Sequence, residues 1–282
     1  MSMRRRFAAA LILACLPASC APPEGVTFLG RHALALEDPR AGGFSGLELD
    51  ATGTRLVAVS DRGALLEARL HREGGRIAGL SAVRLSDLPG LPGAGARAPD
   101  AEGLARLGER LWISYEGRAR VARHRGDTLP RPAAFAAWPE NRGPEALAVD
   151  GAGRLYTLPE AAEGGAFPLY RFAEGRWRRI GRLPRDGGFV PVGADFDDAG
   201  RLYVLERAFV GLGFRSRVRR VRPGDGPLDP ETVLPATAPG RHGNLEGLAV
   251  WRDGGGRLRL TMIADDNFLA VQRSEIVDYA LP

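Results

Sequence analysis

Short apolar runs alternate along the chain with turns rich in Gly, Asp and Arg, and helical periodicity is almost absent. Runs such as Leu56–Val59 and Leu111–Ile113 are too short for helices and are bounded by turn residues, which is typical of strands. The 38 Gly and 21 Pro residues separate these runs as breaks. The pattern predicts an all-β fold of many short antiparallel strands.

One phrase occurs five times. It starts with an acidic or small residue, then Gly or Ala, then an apolar residue, and it continues through a strand, a turn and a second strand. The copies start at Ser45, Glu102, Glu145, Val192 and Glu246. Each interval between copies holds about four strand-like runs. A repeat of this length in an all-strand chain indicates a β-propeller with one copy in each blade.

We therefore predict a β-propeller of four-stranded antiparallel blades. Five copies favour five blades, and a sixth, degenerate blade could occupy 72–99 or 207–243. The copy that starts at Glu246 leaves room for only three strands. We expect the strand-like segments at Val26 and His32 to supply the fourth, so that pairing of the N-terminal and C-terminal strands closes the ring.

The N-terminal residues have the features of an export signal. Arg4, Arg5 and Arg6 precede an apolar stretch that is too short to span a bilayer. The segment Leu16-Pro-Ala-Ser-Cys20 resembles the end of a bacterial lipoprotein signal, after which the Cys becomes lipidated. Ordinary signal cleavage near Ala18 or Ala21 is the alternative.

These features divide the chain into a signal peptide (1–20), a short tether (21–25) and one propeller domain (26–282). We expect an exported, periplasmic monomer that is anchored to the membrane through a lipid on Cys20. Loss of Cys15 with the signal leaves a single thiol. An intramolecular disulfide is then excluded, and stability must come from the core.

The basic charge does not predict a nucleic-acid partner. The chain contains no Lys, and its 39 basic residues are all Arg. Removing Arg4–Arg6 lowers the formal charge from +5 to +2, and the remaining Arg residues are dispersed over turns and strands. A GC-rich genome explains the Arg bias, and selection for bidentate anion contacts is the alternative. We expect no nucleic-acid binding.

Acidic residues recur at both ends of the first strand pair of each copy. The first strand starts at Glu102, Glu145 or Glu246 in three copies, with Ser45 and Val192 in the other two. The second strand ends near Asp61, Glu116, Glu160, Glu206 or Asp265, and Asp266 and Asn267 follow the last of these. In a propeller both ends lie on the same face. The two sets of carboxyl groups should therefore meet at one mouth of the central channel.

Crowded carboxyl groups must be neutralised by protons, by Arg or by a cation. Many oxygen ligands suit Ca²⁺ or Mg²⁺ better than Zn²⁺, and the four His residues are scattered. We therefore predict a divalent cation, with calcium as the first choice. The predicted metal contacts are Asp61, Glu116, Glu206, Asp265 and Asp266.

The remaining candidates surround this cation. We expect Glu102, Glu145 and Glu246 to be catalytic, since with Asp265 they could also ligate the metal while one acid serves as the base. Arg beside a bound cation suits a phosphate or carboxylate. The predicted substrate-binding residues are Arg62, Arg207 and Asn244, and the predicted ligand is a small anionic or phosphorylated substrate.

A structural role stays open for each acid, because propeller acids also cap turns and bind backbone N–H groups between blades. Asp50, Asp150 and Asp197 follow first strands, on the opposite face, and are interpreted as turn residues. His242 is the His nearest to the acids. Residues 93–99 are predicted to form an exposed loop beside Glu102.

The phrases also resemble a known family. The matching segments are Phe44-Ser-Gly-Leu-Glu-Leu-Asp50, Asp100-Ala-Glu-Gly-Leu104, Gly143-Pro-Glu-Ala-Leu147, Leu205-Glu-Arg207, Asn244-Leu-Glu-Gly-Leu248 and Ala264-Asp-Asp-Asn-Phe268. In this order they resemble the exported bacterial family labelled esterase-like activity of phytase, or phytase-like domain. The resemblance implies a propeller and a phosphoesterase activity. A looser similarity links the chain to gluconolactonase-like propellers, which hold one divalent metal on the axis.

Two functions follow from these observations. The first is a metal-dependent hydrolase of phosphate esters or related esters that acts at the channel mouth. The second is a non-catalytic periplasmic module that binds a ligand or a protein through the same face. The break in the acidic series at Val192 and the absence of an unmistakable catalytic set favour the second.

Overall fold

The computed structural model describes residues 25–89, 100–211, 213–269 and 271–282. The predicted signal peptide, Cys20 and the loop at 93–99 lie outside these ranges. One short helix, α1 (Ala133–Ala136), accompanies twenty strands. In chain order these are β1 (Thr27–Ala33), β2 (Phe44–Leu49), β3 (Arg55–Ser60), β4 (Ala64–Glu73), β5 (Arg76–Asp87), β6 (Ala101–Leu107), β7 (Arg110–Tyr115), β8 (Arg120–Arg123), β9 (Pro144–Val149), β10 (Leu155–Pro159), β11 (Ala166–Ala173), β12 (Arg176–Pro184), β13 (Val190–Phe196), β14 (Leu202–Val210), β15 (Gly213–Val221), β16 (Gly226–Pro227), β17 (Glu231–Leu234), β18 (Asn244–Arg252), β19 (Leu258–Asp265) and β20 (Glu275–Ala280).

The strands form five antiparallel sheets, and the fold is a five-bladed β-propeller. Their strand orders are β2-β3-β4-β5, β6-β7-β8, β9-β10-β11-β12, β13-β14-β15-β17 and β18-β19-β20-β1. We number the blades 1 to 5 in this order. β16 adds to the edge of blade 3 by parallel pairing with β12. Each copy of the phrase supplies the first two strands of one blade, as the sequence predicts.

Blade 5 closes the ring with strands from both ends of the described chain. β1 pairs antiparallel with β20, with His32 opposite Ile276, and this confirms the predicted closure. Blade 2 differs from the four-stranded expectation, because three strands are described there and only a single bridge, Ala122 to Thr128, continues its edge. Pro130 and Pro132 follow directly. Since Pro cannot donate to a ladder, a longer fourth strand is disfavoured at this point.

Where they are described, the two stretches that could have held a sixth blade instead form parts of strands and whole strands of existing blades. β4 and β5 extend blade 1, with 10 and 12 residues. β14 and β15 form a long hairpin in blade 4, with 9 residues in each strand. The described residues therefore hold five blades.

The apolar core lies mainly between neighbouring blades. One buried cluster joins Phe167 of blade 3 to Val204 of blade 4, and another joins Leu47 of blade 1 to Ile263 of blade 5. Because the inner strands are buried on both faces, they are largely apolar on both sides, as in β9. In the described ranges, no helix is long and apolar enough to cross a membrane.

The second and third residues of the phrase pack the channel. A Cβ on Gly103 would lie 2.3 Å from the carbonyl oxygen of Glu145, and one on Gly193 would lie 2.3 Å from that of Glu246. Gly therefore allows the first strands of neighbouring blades to approach closely. The cavity on the axis is only about 10 Å³ and is lined by the phrase residues, with Leu47 and Leu104 among them. This volume leaves no passage for a ligand, so a ligand can reach the acids only from the mouth.

Candidate functional site

Every blade carries a β-bulge at the first residue of the phrase. The register between the first and second strands shifts where Ser45, Glu102, Glu145, Val192 and Glu246 stand. A bulge adds a residue that the ladder leaves unpaired and redirects its side chain. The phrase therefore encodes a repeated bulge at the channel mouth, and three of its five side chains are Glu.

The strand register also defines the equivalent position on each second strand. The residue before each bulge pairs with Ser60, Tyr115, Pro159, Glu206 or Ala264. The next residue along each second strand is Asp61, Glu116, Glu160, Arg207 or Asp265. We call these five residues, together with the five bulge residues, the mouth ring. The ring contains seven carboxyl groups and a single guanidinium, that of Arg207.

The structure corrects the assignment of Glu206 as a metal ligand. Glu206 precedes the ring position by one residue, and a one-residue step along a strand reverses the side chain to the other face of the sheet. Its carboxylate is fully buried and accepts hydrogen bonds from Arg217 Nε at 2.7 Å and Arg219 Nε at 2.6 Å. Glu206 is therefore neutralised inside blade 4, and it is Arg207 that faces the mouth.

Arg207 joins three blades. Its guanidinium donates to Glu160 Oε1 of blade 3 at 2.8 Å and to Asn244 Oδ1 of blade 5 at 2.7 Å, and it also pairs with Glu246. Burial works against its charge, but the carboxylates of Glu246, Glu160 and Glu145 raise its pKa. The mouth therefore holds a permanent cation on the side of blade 4.

On the blade 2 side, three carboxyl groups could share a cation. Oxygens of Asp100, Glu102 and Glu116 all lie within 4.8 Å of one another. Two oxygens that bind the same Ca²⁺ are at most about 5.2 Å apart, because each lies 2.3–2.6 Å from the ion. Hard carboxylate oxygens at this separation fit a divalent cation. We call these three residues the acidic triad.

Burial and mutual repulsion disfavour ionisation of several of these acids. Burial, followed by the charges of Glu246 and Glu116, raises the pKa of Glu102 well above its usual range. Burial and repulsion from Glu246 raise the pKa of Asp61 to about 6 and that of Asp265 to about 7. A bound cation would reverse this effect by favouring the charged carboxylates.

Glu145 connects the acidic triad to Arg207. Burial and the charge of Glu102 raise the pKa of Glu145, and its carboxyl group is hydrogen-bonded to that of Glu116. Such a bond requires a proton on one of the two groups. Glu116 Oε1 also accepts the backbone N–H of Gly143 at 2.9 Å. This hydrogen bond raises the pKa of Glu145 and acts to lower that of Glu116, which favours Glu145 as the group that donates the proton.

The remaining predicted residues lie where blades 5 and 1 meet. Asn244 donates to Glu246 Oε1 at 2.9 Å and to Asp265 Oδ2 at 3.3 Å. Asp266 Oδ1 accepts the backbone N–H groups of Gly43 at 3.0 Å and of Phe268 at 3.1 Å, so it fastens blade 5 to blade 1. Asp266 therefore binds backbone N–H groups between blades, which is the structural alternative that the sequence analysis gave for each acid.

Arg62 lies on the outer rim beside Asp61. It is exposed, and its guanidinium carbon lies 3.4 Å from the centre of the Phe268 ring. This contact holds the charged group against the loop after β19, so Arg62 stands near the mouth without belonging to the Arg207 network.

Two other groups of residues lie outside the mouth. His242 is buried, its Nε2 lies 2.7 Å from the hydroxyl oxygen of Tyr279, and burial lowers its pKa to about 4. It packs within blade 5. The turn interpretation is confirmed for Asp50, Asp150 and Asp197, whose Oδ1 atoms accept backbone N–H groups of their own turns.

Sequence reasoning missed Asp100 as a member of the site. The signal was present, because Asp100 lies two residues before Glu102 in the phrase of blade 2. Its backbone carbonyl accepts the N–H of Glu116 at 2.9 Å, which places it opposite the ring position of β7. The bulge that follows Asp100 changes the strand register, and the Asp100 carboxylate lies close to those of Glu102 and Glu116. The sequence alone does not show this placement.

Comparison with known proteins yields one family match. Residues 39–268 match the family described as "Phytase-like: Esterase-like activity of phytase". The match spans all five phrases and every residue of the mouth ring. No curated protein matches the chain.

Solved structures with a TM-score of 0.50 or more show the same general fold at low sequence identity. The catalytic domain of a Coprinopsis cinerea α-L-arabinofuranosidase has a TM-score of 0.53 and 10% identity, over 91% of this chain and 96% of that chain. The PQQ-bound aldose sugar dehydrogenase of Streptomyces coelicolor has a TM-score of 0.50 and 13% identity, over 93% of this chain and 100% of that chain. A Xanthomonas campestris gluconolactonase has a TM-score of 0.47 and 17% identity, over 95% of this chain and 97% of that chain. At such identities the likeness to the arabinofuranosidase and to the dehydrogenase is one of fold.

Proposed function

Because the chain belongs to the phytase-like family described as esterase-like activity of phytase, we propose that it hydrolyses a phosphate ester or a related ester at the channel mouth, with a bound divalent cation. Calcium is the proposed ion, and the acidic triad is its proposed site. The substrate is a small anionic or phosphorylated molecule.

One arrangement carries this proposal. Glu145 shares a proton with Glu116 of the acidic triad and lies close enough to Arg207 to raise the pKa of its guanidinium. A cation site, a proton-holding carboxyl group and a fixed positive charge therefore adjoin one another. Metal-assisted ester hydrolysis can use all three elements, because the cation and the guanidinium stabilise charge on the substrate and the acid supplies a proton to the leaving oxygen.

We assign a separate role in the proposed hydrolysis to each group of residues at the mouth. Asp100, Glu102 and Glu116 would hold the cation, which when bound polarises the ester and lowers the pKa of a bound water. Glu145 would hold the proton that the leaving oxygen takes up. Arg207 would bind the anionic group of the substrate.

The fixed orientation of Arg207 supports its role. Asn244 and Glu160 hold its two terminal nitrogens before a substrate arrives, at 2.7 and 2.8 Å. Preorganised donors of this kind cost little reorganisation during the reaction. Asp61, Glu246 and Asp265 would complete the negative mouth that attracts the cation, with Arg62 at its rim.

A hydrolysis assay tests this proposal. With Ca²⁺ present, 4-nitrophenyl phosphate and 4-nitrophenyl acetate should be cleaved by the wild-type protein, and Glu145→Gln should lower kcat by about 100-fold, the usual contribution of a positioned acid. The control is Glu109→Gln, since the Glu109 side chain is 82% exposed on the opposite face. Equal activity of Glu145→Gln and the control would refute the proposed role of Glu145, and no cleavage by the wild type would refute the enzyme.

A non-catalytic binding protein is the second candidate, and one observation favours it. Arg207 is already paired with Glu160 and Glu246, and Val192 leaves blade 4 without an acid at its bulge. A mouth that is partly neutralised in this way suits reversible capture of an anion. Binding of a phosphate ester without turnover would select this function.

We further propose that the protein is exported to the periplasm as a monomer and anchored through a lipid on Cys20, without nucleic-acid partners. The motif that ends at Cys20 supports this proposal. In a bacterial host, labelled palmitate should enter the wild-type protein and be absent from Cys20→Ser. Equal labelling of the two proteins would refute the anchor.

A further inference from the structure

The long hairpin of blade 4 carries an aromatic pair close to Arg207. Phe209 of β14 pairs with Phe214 of β15, and their ring centres are 5.2 Å apart. Phe209 is 64% exposed, which is unusual for a large apolar side chain. Nothing in the proposed chemistry so far uses these rings.

Strand alternation places the pair on the face that carries Arg207. Residues two apart on a strand share a face, so Phe209 projects to the same side as Arg207. Directly opposite residues also share a face, so Phe214 joins them. The guanidinium carbon of Arg207 lies 5.8 Å from the centre of the Phe214 ring, which confirms this placement. The two rings therefore stand at the mouth beside its permanent cation.

Hydrogen bonds to a neighbouring segment hold the outer edge of the hairpin, so the two rings lie on an ordered strand pair. Gly240 donates its backbone N–H to the carbonyl of Phe214 at 3.0 Å, and Thr237 donates to that of Ser216 at 2.9 Å. Arg215 Nε donates to the carbonyl of Thr237 at 2.9 Å. The second edge of β15 is thus held by the segment 237–240, and exposure of Phe209 does not reflect a loose strand.

We propose that Phe209 and Phe214 form a binding platform that selects esters with an aromatic or bulky apolar group next to the anion, an inference that rests on the proposed function. A substrate whose anionic group contacts Arg207 has the rings within reach of the adjoining part of the molecule. Aromatic groups gain from offset or edge-to-face contact with such rings. The platform thus favours aryl esters over alkyl esters of the same charge.

Non-hydrolysable ligands test the platform independently of catalysis. Phenylphosphonate and methylphosphonate carry the same anionic group and differ in the apolar part. In calorimetric titrations with Ca²⁺ present, we expect the wild-type protein to bind phenylphosphonate about 3- to 10-fold more tightly, the magnitude of one aromatic contact. Phe209→Ala should abolish this preference, and Phe209→Tyr should retain it.

The same hairpin supplies a matched control. Val210 is 46% exposed at the tip but projects to the opposite face, opposite Gly213. Val210→Ala should therefore keep the preference for phenylphosphonate. Because both side chains are exposed, all three variants should keep the melting temperature of the wild type, and this measurement excludes misfolding as the cause.

The outcomes separate the platform from the proposed function. Equal binding of the two phosphonates by the wild type, or a preference that survives in Phe209→Ala, would overturn the platform and leave the hydrolase standing. Failure of both phosphonates to bind would refute the anion site at Arg207 and the platform with it. A preference that Phe209→Ala removes, in a protein without hydrolase activity, would support the platform on a binding protein.

Discussion

At the residue scale, the site depends on the difference between two neighbouring side chains of β14. Glu206 and Arg207 look equally placed in the sequence, and only the strand register assigns one to the interior of blade 4 and the other to the mouth. The acid that continues the repeated pattern is therefore structural, and the following base is the functional candidate.

Replacing Glu206 should reduce stability and leave metal binding unchanged. Glu206→Gln removes the charge that neutralises the buried Arg217 and Arg219. Breaking a buried ion pair from one side costs about 3–5 kcal/mol. Urea denaturation should show this loss in the free energy of unfolding.

An exposed ion pair provides the control for Glu206. Glu163 pairs with Arg179 at 3.0 Å, and both side chains are about 40% exposed. Glu163→Gln should change the free energy of unfolding by less than about 1 kcal/mol. If Glu206→Gln kept its stability but lost affinity for Ca²⁺, Glu206 would be a ligand after all.

A second pair of acids, Glu48 and Asp195, lies within the channel away from the mouth. They occupy equivalent positions on β2 and β13, three residues after the bulges. Burial raises the pKa of Asp195 to about 7, and burial together with the charge of Asp195 raises that of Glu48. The folded state therefore binds more protons than the unfolded state between about pH 4 and pH 7. Stability from this pair is complete below pH 4 and is lost as the pH rises through 7.

Glu48→Gln should relieve this loss. The Gln side chain keeps the acceptor that Glu48 Oε1 offers to the backbone N–H of Arg106, at 3.1 Å. We expect the free energy of unfolding at pH 8 to increase by about 1–2 kcal/mol, and the difference from the wild type to vanish near pH 4. Denaturant titrations across this range measure both. A variant that is less stable at pH 8 than at pH 4, relative to wild type, would contradict the assignment.

At the element scale, the repeated phrase combines three functions in three consecutive residues. The first residue forms the bulge at the mouth, the second permits close approach of the neighbouring blade, and the third packs the channel. Gly103 shows the second function most clearly, because its added Cβ would meet the carbonyl oxygen of Glu145 at 2.3 Å.

Gly103→Ala should therefore push blades 2 and 3 apart. Overpacking of this kind costs about 1–3 kcal/mol, and here it would also displace Glu145 from Glu116. We expect a lower melting temperature and weaker binding of Ca²⁺. Gly151→Ala is the control, since a Cβ there meets nothing within 4 Å and its φ is not positive. Equal melting temperatures of the two variants would show that the close approach is dispensable.

The elements also show what the sequence could and could not predict. The inner strand pairs were predictable, because the phrase repeats and each copy contains two apolar runs. The contrast between Glu206 and Arg207 could not be predicted from the sequence. The number of residues between the bulge and the mouth-ring position on the second strand differs from blade to blade, so spacing alone does not identify that position. The pairing of Phe209 with Phe214 could not be predicted either, because the sequence of residues 207–243 was as compatible with a sixth blade as with a long hairpin.

At the scale of the whole molecule, the propeller brings distant residues to one place. The mouth ring draws on blades whose phrases start up to 201 residues apart, from Ser45 to Glu246. The axis beneath it is closed, with a cavity of only about 10 Å³. Ligands must therefore enter and leave through the mouth, which the hairpin of blade 4 borders on one side.

The same geometry produces an asymmetric site. The acidic triad lies at blade 2, Glu145 at blade 3 and Arg207 at blade 4, so the cation, the proton and the anion contact follow one another around the ring. This order was not evident from the sequence, where all five copies look alike apart from Ser45 and Val192.

A thermal melt in the presence of Ca²⁺ tests the central claim, a divalent cation at the acidic triad. At a Ca²⁺ concentration 100 times its dissociation constant, binding adds about 2.7 kcal/mol to the stability. For a domain of this size the melting temperature should rise by about 5–10 °C. Glu102→Gln should lose most of this rise, and Glu109→Gln should keep it. A wild-type melting temperature that does not change with Ca²⁺, Mg²⁺ or Mn²⁺ would contradict the account.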